Sequence, residues 1–130
     1  MKPQFINSKL APKFSNLSQC ARVGDILFLG GVVGETPEDY LPTTMREQAK
    51  LCFDNIKFIL EEAGSDLEHI ASTNLLVDMA ATEEDEAVLN EVWRETFPVE
   101  ELRPCRCCYR VDLQEGYLVE VVNTVATLKK

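Results

Sequence analysis

Apolar positions recur along this chain with two rhythms, period two and period three to four, and the changes between them divide it into elements. Leu17 to Val23 and the apolar run Ile26 to Val33 flank Gly24-Asp25, which predicts a hairpin turning on that pair. Gly30-Gly31 interrupts the second strand, so a bulge or a close approach of the backbone to another group is expected there. Gly34 to Pro42, with two prolines and several acids, reads as a surface loop.

Thr44 and Glu47 form a capping box ahead of a helical stripe, Met45, Ala49, Cys52, Phe53, Ile56, Leu60 and Ala63, which Gly64 terminates. A stripe this continuous predicts a helix lying on a sheet. Ser65 to Glu68 repeats the box over a single turn. Ile70 to Met79, rich in Thr, Leu and Val, reads as a strand between two helices and suggests a parallel crossover. The second helix starts near Thr82 or Glu83, turns Val88, Leu89, Val92, Trp93 and Phe97 inward, and ends before Pro98. Cys105 to Leu113 and Tyr117 to Leu128 read as a second hairpin joined by Gln114-Glu115-Gly116. The expected fold is therefore α+β, a two-layer ββαβαββ mixed sheet with both helices on one face, in one domain over residues 1–130.

Composition narrows the partners. The 22 acidic residues against 13 basic ones give a charge of -9, and the basic residues are scattered, so nucleic acid is not an expected partner. No apolar run approaches the length of a membrane span and the first residues carry no signal-peptide pattern, so no membrane partner and a cytoplasmic location are expected. Five cysteines, an odd number in a chain able to bury a core, favour free thiols in a reducing compartment. Cys105, Cys107 and Cys108 lack a second ligand pair and point to both faces of their strand, so neither metal nor cofactor is expected and small buried side chains explain them better. His69, in a surface turn, is remote in sequence from any thiol it could activate.

Alternation puts Arg106, Cys108, Arg110 and Asp112 on one face of their strand, with Cys105, Cys107, Tyr109 and Val111 on the other. An arginine between small side chains suits a carboxylate with its planar fork, but from spacing alone an ion pair with an internal acid or a solvent-facing position is the better account of it. Glu120, between the same-face residues Leu118 and Val122, either pairs with Arg106 or Arg110 or has a raised pKa that fits it to move protons.

Ser18-Gln19, Gly30-Gly31, Ala63-Gly64-Ser65, Leu89-Asn90-Glu91-Val92-Trp93, Pro104-Cys105-Arg106 and Val119-Glu120-Val121, in that order over residues 11 to 128, resemble the Rid family, also known as YjgF/YER057c/UK114. The resemblance implies a chorismate-mutase-like domain, a homotrimer with small-carboxylate sites in clefts between subunits, and hydrolysis of enamines and imines such as 2-aminoacrylate to a 2-keto acid and ammonia. It assigns Arg106 to the substrate carboxylate, Glu120 to the attacking water, Cys108 to the pocket and Gly31 to a backbone N–H donor. The chain departs from the family pattern at Leu17, commonly tyrosine, Gly30, commonly serine, Ala80, usually asparagine, and Val122, often a second glutamate. A pocket made larger and less polar by Leu17 and Gly30 suits a bulkier substrate, as in the family's aminomuconate deaminases. The alternatives are a non-catalytic carboxylate-binding or regulatory trimer and a ribonuclease or translation inhibitor, the last opposed by the charge.

Overall fold

The computed structural model describes residues 1–130 and contains seven strands and two long helices. In chain order they are β1 (Gln4–Ile6), β2 (Cys20–Val23), β3 (Ile26–Leu29), β4 (Val32–Val33), α1 (Met45–Glu62), β5 (Ile70–Asp78), α2 (Glu83–Thr96), β6 (Cys105–Val111) and β7 (Val119–Thr127). Single 3₁₀ turns, Leu67–His69 and Glu100–Leu102, precede β5 and β6.

Both helices start where side-chain oxygens take up free amides. Thr44 Oγ1 accepts from Glu47 N at 3.3 Å. At α2, Thr82 Oγ1 accepts from Asp85 N at 3.0 Å while Asp85 Oδ2 accepts from Thr82 N at 2.9 Å, a complete reciprocal cap. Gly64, at φ +87, ends α1 in the left-handed conformation that glycine reaches without steric cost. Ser65 is not a helix cap: its hydroxyl donates to the Thr127 carbonyl, and Asp66 flanks the next turn, holding His69 Nδ1 at 2.6 Å.

One mixed sheet runs β1-β2-β3-β7-β5-β6, with β4 also paired to β7. The first hairpin turns on Gly24, φ +61, as its sequence predicts. The second predicted hairpin does not form, because β5 lies between β6 and β7, parallel to the first and antiparallel to the second. The crossover through α2 sets β6 on the outside of β5, and the segment after it carries the chain over to β5's other edge. Short β1 extends the far edge.

The helices cover one face. Leu27, Leu29, Leu75, Val77, Val119, Val121 and Ala126 on the sheet meet Ala49, Cys52, Ile56, Leu60, Leu89 and Val92 beneath them, all buried. Phe53, Trp93 and Phe97 join the two helices through edge and tilted ring contacts. Two buried polar residues of α1 tie down neighbouring loops. Gln48 donates to the carbonyls of Pro42 and Gly116, both at 2.8 Å, and accepts from Leu118 N; Asn55 donates to those of Val33 and Glu35. The uncovered face carries Phe5, Ile26, Phe28 and Tyr109, all exposed.

Cys20 and Cys52 are buried, and burial raises the Cys20 thiol to about 11, leaving it protonated and inert near neutrality. Cys105, Cys107 and Cys108 are not the small buried side chains expected: all three are exposed, because β6 is the outer strand of the sheet. All five thiols are free.

Candidate functional site

Arg106 faces the helical side of β6, in register with buried Thr73 of β5. It has no acidic partner. Its Nη2 donates to Asn90 Oδ1 on α2 at 2.6 Å, and its Cζ lies 4.8 Å from the centroid of the Trp93 ring. Arg110, two residues on, does have an acidic partner, though at the surface: it pairs with partly exposed Glu86 and donates to the carbonyls of Met79 and Ala81. One strand face thus carries one neutralised arginine and one with its charge uncompensated. Cys108 stands between them in the alternation; exposed as a residue, its thiol is still partly desolvated, which raises it, with the positive charge of Arg106 acting in opposition.

Glu120 lies on the other face. Its neighbours Val119 and Val121 are fully buried under the helices, so Glu120 projects from the uncovered side, in register with Leu76 of β5 and Val33 of β4. It pairs with neither arginine, and burial raises its carboxyl above the ordinary glutamate range. Its side chain occupies the space that a Gly31 side chain would need: a Cβ on Gly31 would sit 2.1 Å from Glu120 Oε2. Of the two expectations for the paired glycines, close approach holds at Gly31. Gly30 is different, since a Cβ there would come no nearer than 3.7 Å to Ser18 O, and its amide serves the strand by donating to Gln19 O.

An open cleft of about 330 Å³ next to Glu120 is lined by Phe14, Val33, Asp112, Leu113, Gln114 and Tyr117. The Tyr117 hydroxyl donates to Glu35 Oε2 at 3.0 Å, and burial with this acid beside it raises the phenol. Leu17, partly exposed, borders Gly31 and Phe14 in an adjoining small crevice.

The six sequence-predicted site residues therefore fall into two sets within one chain. Gly30, Gly31, Leu17 and Glu120 belong to one, Arg106 and Cys108 to the other. β5 separates the strands that carry Arg106 and Glu120, and their registers on it differ by three residues, roughly 10 Å along the strand. Sequence reading assigned no role to Asn90 and placed Trp93 only in the core; their three-residue spacing on α2 was the available signal, readable only once the parallel β5–β6 pairing is known. Tyr117 with Glu35 was also missed.

Comparison with known proteins adds four findings. The Endoribonuclease L-PSP family matches residues 8–127. A hypothetical protein from Giardia lamblia has the same fold, with a TM-score of 0.96 and 44% identity over 98% of this chain and 100% of that one. RidA from an Antarctic Psychrobacter superposes with a TM-score of 0.84 at 31% identity, covering 96% of this chain and 99% of its own. In sequence, the chloroplastic Reactive Intermediate Deaminase A of Arabidopsis thaliana is 27% identical over 115 residues, 85% of this chain and 58% of that protein.

Proposed function

The chain belongs to the Rid (YjgF, endoribonuclease L-PSP) family, and from that premise we propose that it is an enamine/imine deaminase working in clefts shared between the subunits of a homotrimer. The observation that carries this reading is the state of Arg106: fixed in place, positively charged, and free of any acid in its own chain. A guanidinium in that state is a ready receptor for a small carboxylate.

Arg106 binds the carboxylate of an imino acid. Water adds to the C=N carbon, one of its protons passes to Glu120 and on to the nitrogen, and the carbinolamine collapses to a 2-keto acid and ammonia. An enamine enters the same route after its terminal carbon takes up a proton. A carboxyl raised by burial is suited to this shuttle, since its pKa lies closer to neutrality than that of a solvated glutamate. Because Arg106 and Glu120 lie on opposite faces of one sheet, the neighbouring subunit supplies the second of them, and the uncovered apolar face with Phe5, Phe28 and Tyr109 gives the subunits a surface to bury. The ribonuclease in the family's name has little support here: the charge is -9, and the one histidine is occupied by Asp66.

Light scattering is expected to give a particle about three times the 14.7 kDa of one chain; a monomer at micromolar concentration removes the shared cleft. The activity is tested with 2-iminopropionate generated in solution, following pyruvate. No acceleration over the spontaneous hydrolysis sinks the proposal.

Glu120→Gln is expected to keep pyruvate binding and slow turnover about a hundredfold. Wild-type kcat/KM should climb with pH as Glu120 ionises above 4.5, and the variant should lose that limb. The same shift has a stability consequence. With a folded-state pKa above the unfolded one, the stability linked to Glu120 is fully present below about pH 4.5 and is lost as pH rises through the folded value. Glu120→Gln should therefore melt higher than wild type at neutral pH, with the gap closing in acid. Equal melting curves throughout would mean the carboxylate carries no burial penalty.

A further inference from the structure

We infer that Trp93 is a positioning residue for Arg106: its indole face sets the plane of the guanidinium, Asn90 sets its rotation within that plane, and the remaining N–H groups are left for a ligand carboxylate. The functional half of this inference rests on the deaminase reading; the positional half stands on the geometry of one chain.

The contrast between the two arginines of β6 carries the argument. Arg110 is held by Glu86 and two carbonyls, which fix it and cancel much of its charge. A receptor for an anion cannot be held that way, because an acid used to hold it would compete with the ligand. Arg106 is held by two uncharged groups instead. The Asn90 amide oxygen accepts one N–H at 2.6 Å, and the indole ring lies 4.8 Å below Cζ, where the negative face of the π system attracts a cation without neutralising it. No other protein acceptor takes a guanidinium N–H of Arg106.

The platform is itself rigid. Trp93 is only 5% exposed, packed at 5.9 Å and 64° against Phe53 of α1 and at 4.6 Å and 54° against Phe97, with those two rings 5.9 Å apart. A side chain on an exposed outer strand is thus referred to the immobile junction of the two helices. A long flexible side chain gains most from such a device, since its rotamer freedom is lost once, on folding, instead of at each binding event. Trp93 is also the sole tryptophan, so its fluorescence should report what happens at Arg106.

The test combines a measurement that needs no ligand with one that does. In the wild type, the Arg106 Nε–H resonance, assigned by its absence in Arg106→Lys, should be shifted upfield by the indole ring current. Trp93→Leu should move it to the position of an unstacked arginine, and Trp93→Phe, which preserves a ring and most of the packing, should fall between. Pyruvate should quench wild-type fluorescence, and its dissociation constant by calorimetry should rise about twofold in Trp93→Phe and about fivefold in Trp93→Leu. KM for the imine should rise in parallel while kcat changes little. An Arg106 resonance that does not respond to Trp93→Leu or to Trp93→Phe overturns the platform. So does unchanged pyruvate affinity in both variants. If the resonance responds as expected but wild type takes up no pyruvate, Trp93 still positions Arg106, and it is the deaminase reading that fails.

Discussion

Arg106→Ala should abolish most imine hydrolysis and pyruvate binding, by about a hundredfold, while the protein folds and assembles as before. A charge-assisted contact to a carboxylate, sheltered in a cleft, is worth on the order of 3 kcal/mol, which corresponds to that factor. Little stability should go with it. In its own chain Arg106 makes one hydrogen bond to a neutral amide and one ring contact on an exposed strand, and its removal leaves no acid unpaired. Lysine should restore little, because a point charge does not reproduce the planar fork. Single-turnover rates beside thermal melts decide the matter. A large fall in melting temperature with pyruvate binding retained would make Arg106 a structural residue.

The opposite profile is expected at Gly34. A Cβ at this position would lie 2.1 Å from the backbone oxygen of Gln48 and 2.7 Å from its carbonyl carbon and Cα. Backbone inside α1 cannot rotate aside as a side chain does, so the loop or the helix must shift. The helix is pinned at that turn by the buried Gln48 side chain, whose bonds reach Pro42, Gly116 and Leu118. Gly34→Ala should therefore destabilise by about 3 kcal/mol, lowering the melting temperature by roughly 10 °C. Denaturant unfolding checks the value. A loss below about 0.5 kcal/mol would mean that the loop after β4 yields freely.

These two glycine and arginine positions show what a linear reading can and cannot see. The helices were legible because their caps and apolar stripes are local, as at Thr44, Thr82 and Gly64. The faces of β6 and β7 were legible for the same reason, alternation being local. Which strand lies beside which is not local: a short connection from β6 to β7 permits a hairpin, and only the docking of α2 places β5 between them. That error carried into the cysteines, whose exposure follows from β6 being outermost. β1 is too short for a period to register. Gly34 gave no signal at all, since a close backbone approach leaves no mark in the sequence around it. Arg106 and Glu120 could be nominated by chemistry, and the family resemblance supplied their roles. Their placement on opposite faces depends on the strand registers, which no motif encodes.

The division of Arg106 and Glu120 between the two faces has a genetic corollary under the shared-cleft proposal. A subunit lacking Arg106 still presents an intact Glu120, and a subunit lacking Glu120 still presents an intact Arg106. Two such alleles, each silent alone, should complement when expressed together, because random mixing in a cyclic assembly leaves roughly one cleft in four with both residues intact. Arg106 and Asn90, by contrast, are joined within one chain, so lesions there should fail to complement one another. Heredity would then sort the residues of this site by the chain each cleft borrows them from.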